Sequence, residues 1–238
     1  MLKNFLLQVT VGNTAVKDLA EVIVPEEKTL TVWQLVSSGG TGGAIIMLTL
    51  LILSILAVYI IVERFLVIKQ ASKEGENFMN QIKDNILDGK INAAKELCKL
   101  NDSPIARMIE KGVVRIGKPL SDIGTAVENT GKLELNKLEK NLSTLATISG
   151  AAPMIGFLGT VIGMILVFHK MAAGGGGVDL QTLSDGIFTA MVTTVAGLIV
   201  GIIAYVGYNT LVARVEKIVF VMEARTMEFL DILHEPAV

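Results

Sequence analysis

Two stretches without a charged side chain decide the fold of this chain. The first covers residues 141–168 and reads NLSTLATISGAAPMIGFLGTVIGMILVF. The second covers residues 186–213 and reads GIFTAMVTTVAGLIVGIIAYVGYNTLVA. Each is longer than the roughly 20 apolar residues that cross a bilayer as a helix. Because an exposed strand edge would leave backbone groups unpaired in lipid, both stretches are predicted to be transmembrane helices.

A third uncharged stretch covers residues 43–62 and is followed by Glu63, Arg64 and Phe65. Apolar residues make up 51% of the 238 residues, and their concentration in blocks is typical of an integral membrane protein. We predict an all-α membrane protein with three transmembrane helices, the second and third of which extend into the cytoplasm as long helices. An apolar stripe crosses residue 140 at helical spacing and predicts that the second span continues a cytoplasmic helix without interruption. The stripe consists of Leu135, Leu138, Leu142 and Leu145.

The orientation follows from the basic residues close to the three spans. Nine lysines and arginines flank one side of the predicted membrane and two flank the other. Since short cytoplasmic segments carry the excess of positive charge, the side with nine is predicted to be the cytoplasm.

The predicted organisation has seven parts. A periplasmic N-terminal segment covers 1–41, in which 29–36 is either a short interfacial helix or a simple flanking loop. The first transmembrane helix covers 42–64, and a cytoplasmic helical domain covers 65–140. The second transmembrane helix covers 141–168, a periplasmic loop 169–185, the third transmembrane helix 186–213, and a cytoplasmic C-terminal helix 214–238. Within the cytoplasmic domain, Pro104 after Ser103 predicts a helix start.

Small residues recur at helical spacing in the second and third spans. The positions are Gly156, Gly159, Gly163, Gly197 and Gly201. Such residues let helix backbones approach closely in a membrane, and helix packing is their predicted role. Pro153 in the second span removes one backbone donor and frees the carbonyl of Ser149, which predicts a kink or local unwinding.

Threonines occur at matching depth in the same two spans. The candidate pore-lining residues of an ion pathway are Thr160, Thr189, Thr193 and Thr194. With an outward and a returning helix, Thr160 and Thr194 each lie about 12 Å below the outer helix end. Taken singly, each hydroxyl could simply bond a carbonyl of its own helix. The spans contain no Asp, Glu, Lys or Arg, so a proton relay would need an acid from another polypeptide.

Composition and motifs exclude several other classes of function. The net charge of −2 gives no basic field for nucleic acid. Cys98 is the single cysteine, which rules out an intramolecular disulfide and a cysteine zinc site. The glycine run at 174–177 lacks the Lys-Ser/Thr of a phosphate-binding loop. We therefore expect no cofactor, no metal and no enzymatic activity.

The segment 150–164, GAAPMIGFLGTVIGM, resembles the A-P-x-x-G-x-L-G-T-V-x-G-M signature of the MotA/TolQ/ExbB proton channel family, and the length with three spans favours its ExbB/TolQ branch. The resemblance implies an inner-membrane pentamer around two copies of a single-span ExbD- or TolR-like partner that supplies a membrane Asp. Proton-motive force would then energise a TonB-like protein and outer-membrane transport. Thr160 and Thr194 match pore-lining threonines of the family, whereas Thr189 stands where ExbB-like members commonly have Glu.

Several alternatives remain open at this stage. The chain could be a TolQ-like subunit that serves the Tol-Pal envelope system. Hydroxyl and freed carbonyl oxygens also suit Na⁺, so a sodium-driven stator is a further reading. The last is a membrane scaffold that binds partner helices in the lipid bilayer and conducts nothing.

Overall fold

The computed structural model describes residues 40–72, 77–173 and 180–234. Within these ranges all regular structure is helical. The helices are α1 (Gly40–Ala71), α2 (Phe78–Leu87), α3 (Ile91–Leu100), α4 (Pro104–Val113), α5 (Leu120–Glu139), α6 (Leu142–Ala173) and α7 (Leu180–His234). The predicted segment at 29–36 and the glycine run at 174–177 lie outside the described residues.

Three of these helices are long and apolar enough to cross a membrane: α1, α6 and α7. Helices α1 and α6 have 32 residues each, and α7 has 55. At 1.5 Å per residue, α7 is about 80 Å long, far more than the hydrocarbon core requires. The all-α class with three long apolar helices is confirmed, and α7 continues beyond the apolar stretch as predicted.

The junction between α5 and α6 differs from the prediction in one respect. Helix α5 ends at Glu139, Lys140 has extended backbone angles (φ −50°, ψ 135°), and Asn141 has a positive φ of 64°. Asparagine tolerates this left-handed conformation better than most residues because its short polar side chain can bond locally. Helix α5, which precedes the second span, is therefore separated from α6 by a break at residues 140–141, and the predicted uninterrupted continuation is wrong.

The far end of α7 packs on α4 and α5. Its contact surface is an apolar stripe whose members are all buried: Val215, Ile218, Met222, Phe229 and Ile232. A methyl group added at Gly112 of α4 would clash with the Phe229 ring and would lie 2.9 Å from a methyl of Val127 in α5. The third long helix is thus anchored to the segment α2–α5.

Helix α4 begins as the sequence indicates. Pro104 is its first residue, and the Ser103 hydroxyl accepts a hydrogen bond of 3.1 Å from the backbone N–H of Ala106. This contact satisfies one of the N–H groups that a helix leaves without an internal partner. The predicted helix start at residues 103–104 is confirmed.

Cys98 in α3 is buried, and its thiol is expected to resist modification in the folded protein. Burial, reinforced by the negative charge of Glu110, raises the pKa of the Cys98 thiol to about 12. At pH 8 the reactive thiolate should be about 1,000-fold scarcer than for an ordinary cysteine. Maleimide labelling measured by mass spectrometry should be negligible in the native protein and complete after denaturation. Rapid native labelling would show that α3 opens.

Candidate functional site

The backbones of α6 and α7 touch where Gly156 faces Gly197. A methyl group added at Gly156 would lie 2.8 Å from the carbonyl oxygen of Thr193 and 3.1 Å from the Cα of Gly197. One added at Gly197 would lie 2.6 Å from the carbonyl oxygen of Ala152. Real side-chain carbons do not approach backbone so closely, so only glycine fits at either position. These two glycines define the crossing point of the helices.

The other three predicted packing glycines lie along the same crossing, with softer neighbours. Gly159 faces the side chain of Thr193, and Gly163 faces the methyl group of Ala190, which would lie 2.9 Å from an added methyl. Gly201 faces the ring of Pro153 at 2.5 Å. All five glycines therefore lie on the surfaces by which α6 and α7 meet.

Pro153 lies inside α6. Its ring occupies the space that Gly201 leaves, and the carbonyl oxygen of Ser149, which the proline frees from the helix, would lie 3.2 Å from a methyl group at Gly201. The proline is thus part of the same helix contact, and the kink attributed to it stays a prediction.

Thr193 and Thr194 both direct their hydroxyls toward one carbonyl of the neighbouring helix. The Thr194 hydroxyl donates to the carbonyl oxygen of Gly156 at 3.1 Å. Thr193 is 2% exposed, and its hydroxyl is 2.7 Å from the Ala190 carbonyl and 3.3 Å from that of Gly156. A hydroxyl has one proton, so its bond to Ala190 is the dominant one. Thr193 is a packing residue within the chain, while half-buried Thr194 lies at the edge of the contact.

Thr160 is half-buried and lies beside the exposed apolar face of α6. Its hydroxyl donates to the carbonyl of Phe157 in its own helix at 2.7 Å. On either side of it, α6 exposes large apolar residues, namely Met154, Phe157, Val161 and Ile165. A hydroxyl on an otherwise apolar exposed face is available to whatever covers that face in the membrane.

Thr189 lies where α1 covers the α6–α7 pair. It lines a small cavity of about 20 Å³ together with Gly43 and Ile46 of α1, Gly159 of α6 and Thr193. A space of this size holds about one water molecule. The structure therefore brings Thr189 and Thr193 together, whereas Thr160 is not among the residues that line this cavity.

Ala152 and Ala190 take part in the same contact, although neither was predicted from the sequence. Ala152 contributes the carbonyl against Gly197, and Ala190 contacts Gly163. Both lie at small-residue spacing, since Ala152 precedes Gly156 by four residues and Ala190 precedes Gly197 by seven. That spacing would have identified them.

The site offers hydroxyl and carbonyl oxygens in an apolar setting. Among the described residues no group of three or more His, Cys, Asp or Glu could hold a metal ion. The arrangement can therefore hydrate a path or orient a neighbouring polar group, but the uncharged spans have no side chain of their own that exchanges a proton at neutral pH.

Comparison with known proteins identifies relatives over most of the chain. A protein of Methanothermobacter thermautotrophicus described as an ExbB homolog in biopolymer transport is 31% identical over 54% of this chain. The match covers 44% of that relative, so the chain spans less than half of its length. The biopolymer transport protein ExbB of Aquifex aeolicus is 39% identical over 44% of this chain and 71% of its own. The Tol-Pal system protein TolQ of Pseudomonas aeruginosa is 25% identical over 86% of this chain and 93% of its own.

The sequence profile of one family matches residues 100–224, a range that holds the whole α6–α7 crossing and the four candidate threonines. Together with three helices able to span a membrane, the match describes an ExbB/TolQ-type subunit of the inner membrane. The resemblance of the segment 150–164 is thereby confirmed, and this chain belongs to the MotA/TolQ/ExbB proton channel family.

Proposed function

We propose that the chain is a stator subunit of an ion-driven motor in the inner membrane. It assembles as a homo-oligomer, a pentamer by family resemblance, around an ExbD-like single-span partner that supplies a membrane Asp. Proton-motive force then energises a TonB-like protein and outer-membrane transport. The subunit is a transport energiser and catalyses no reaction of its own.

The observation that carries this proposal is that the threonines of α6 and α7 differ in burial and in hydrogen-bond partners. The Thr193 hydroxyl is buried in the packing of α6 against α7, whereas half-buried Thr160 lies beside the uncovered apolar face of α6. An apolar face with one hydroxyl suits a neighbouring helix that carries a single protonatable group. Because the spans hold no acid, that group must belong to the partner.

The orientation belongs to the same proposal. The N-terminus is periplasmic and the C-terminus cytoplasmic, which the nine-to-two distribution of basic residues supports. In this orientation the segment α2–α5 and the end of α7 lie together in the cytoplasm. The burial of Phe229 of α7 against Gly112 of α4 supports this arrangement.

A second candidate is a TolQ-like role in the Tol-Pal envelope system. The match to the Pseudomonas aeruginosa protein favours it, because that match covers 86% of this chain. The two candidates share the ion pathway and differ in the client protein. Genes that neighbour this one would distinguish them, since a TonB-like or a Pal-like protein should be encoded nearby.

Ion flux into liposomes tests the proposed function. The chain is reconstituted with its co-encoded single-span partner, and proton entry is followed with a pH-sensitive dye under an imposed membrane potential. We expect flux with the intact partner and none when the partner's membrane Asp is replaced by Asn. Flux of sodium but not protons would make this a sodium-driven stator. Absence of both fluxes, with the complex shown to be assembled, would favour the non-conducting scaffold.

A further inference from the structure

Arg64 is a buried charge directly after the uncharged part of α1. Its side chain is 5% exposed, and one end of its guanidinium pairs with Glu63 Oε1 at 2.5 Å. Its Nη1 donates a hydrogen bond of 3.1 Å to the backbone carbonyl of Lys137 in α5, 73 residues away in the chain. An arginine is costly to bury, so the contact it makes there calls for an explanation.

The Lys137 carbonyl is one that its own helix leaves without a partner. Helix α5 ends at Glu139, and the last four carbonyls of a helix have no N–H four residues further on to bond. A cation in this place also interacts favourably with the negative end of the helix dipole. Arg64 of α1 therefore caps the C-terminus of α5.

This cap is located at the joint between α5 and α6. Lys140 and Asn141, with its positive φ of 64°, separate the two helices immediately after the capped turn. No continuous helical ladder holds α5 in line with α6 across these two residues. The angle between the two helices must therefore be set by contacts from outside the joint, and Arg64 makes one of them.

Helix α5 is in turn tied to α4 by a buried carboxylate. Glu134 is 4% exposed and accepts hydrogen bonds from Arg107 of α4 at 2.7 Å and from Lys137 at 2.6 Å. Burial disfavours its ionised form, but the hydrogen bonds from Arg107 and Lys137 hold the pKa of Glu134 below its usual range. Helices α4 and α5 consequently move as one body.

The same end of α1 is attached to α7. The Arg214 guanidinium lies 4.5 Å from the centre of the Phe65 ring, and a methyl group added at Gly207 would clash with the side chain of Ile61. A cation over an aromatic ring is worth about 0.5–2 kcal/mol. The end of α1 at residues 61–65 therefore contacts α5 through Arg64 and α7 through Ile61 and Phe65.

We propose that Arg64 is a positioning residue that fixes the angle between the segment α2–α5 and the three membrane helices. It does so by holding the C-terminus of α5 against α1 at the 140–141 joint. The inference concerns the subunit itself and does not depend on which ion or client the assembly serves. Buried ion pairs contribute little net stability, so the expected consequence of Arg64 is geometric.

Spin-label distances across the joint test the proposal. Asn129→Cys in α5 and Thr147→Cys in α6 are both at exposed positions, and Cys98 is buried. The two labels are 18 residues apart in the chain, and a straight helix of that length would span roughly 27 Å, a distance within the range of double electron–electron resonance. The protein is studied in lipid nanodiscs with its partner, with labelled subunits diluted into unlabelled ones. We expect one narrow distance distribution with Arg64 present.

Arg64→Met should widen that distribution or move its maximum by more than about 3 Å, because the cap is lost while α6 stays packed on α7. Arg64→Lys should restore it only in part, since an ammonium lacks the planar fork that reaches Glu63 and Lys137 together. Lys132→Met is the matched control, because it removes an exposed cation of α5 that pairs with Glu128 of the same helix.

Two results would overturn the proposal. One is an unchanged distribution in Arg64→Met, and the other is an equal change in Lys132→Met. If Arg64→Met is not recovered from the membrane, Glu63→Gln with Arg64→Met removes both charges and leaves no carboxylate without its partner. The same widening is expected in this double variant, and a narrow, unshifted distribution there would equally contradict the positioning role.

Discussion

Alanine in place of Gly156 is expected to lower the free energy of unfolding by about 1–3 kcal/mol, the usual cost of overpacking a close contact. The added methyl would lie 2.8 Å from one backbone atom of α7 and 3.1 Å from two others. Backbone cannot rotate away as a side chain can, so the two helices must separate. Alanine is otherwise about 1 kcal/mol better than glycine inside a helix, which makes a loss of stability diagnostic of the clash.

The measurement is the fraction of helix that survives increasing SDS in mixed micelles, followed by circular dichroism. Gly150→Ala is the matched control, because Gly150 lies in the same helix and an added methyl there has no atom within 4 Å. That variant should be neutral or slightly more stable. Equal stability of Gly156→Ala and Gly150→Ala would show that α6 and α7 do not cross at Gly156.

The α6–α7 contact was largely predictable because small residues recur along both helices. The glycine pattern indicated the packing faces, but it does not distinguish the adjacent threonines. Thr193 and Thr194 precede Gly197 by four and three residues, and both spacings place a residue near the same helix face. Both were predicted to line a pore, and only their different burial in the structure separates them.

Two features could not be predicted from the sequence. The break at Asn141 depends on one backbone conformation, and the leucine stripe stays buried on both sides of it, so periodicity gives no signal. The cap of α5 depends on a contact between Arg64 and Lys137, which are 73 residues apart. From the sequence alone, a buried arginine cannot be distinguished from the other positive charges that flank the predicted spans. Its partner is a backbone carbonyl, a group that every residue has, so no residue type in the sequence indicates the contact.

Valine in place of Thr160 is expected to abolish ion flux while leaving the fold intact. The hydroxyl bonds a carbonyl of its own helix, so exchanging it for a methyl of similar size should cost at most about 1 kcal/mol of stability. Thr160 is a cleaner test than Thr194, because the Thr194 hydroxyl also bonds Gly156 across the helix contact. A change at Thr194 would alter packing and pathway together.

The flux should fall at least about tenfold. One lost hydrogen bond to a charged group raises the barrier by about 1.5–3 kcal/mol, and such an increase slows transfer by about tenfold or more. Thr160→Ser keeps the hydroxyl and should retain most of the flux. Thr147→Val is the matched control, because Thr147 makes the same kind of bond within α6, to the Ser143 carbonyl at 2.9 Å. Its flux should be normal.

The liposome assay with the intact partner gives these fluxes, and size-exclusion chromatography of each complex shows whether it has assembled. Normal flux through an assembled Thr160→Val complex would remove Thr160 from the pathway and leave the exposed face of α6 as a binding surface alone. Loss of flux in Thr147→Val as well would show that the defect comes from a general disturbance of α6 and not from the Thr160 hydroxyl. Loss in Thr160→Val alone ties conduction to a hydroxyl at this depth, where the partner's carboxylate would need a polar neighbour in order to give up its proton.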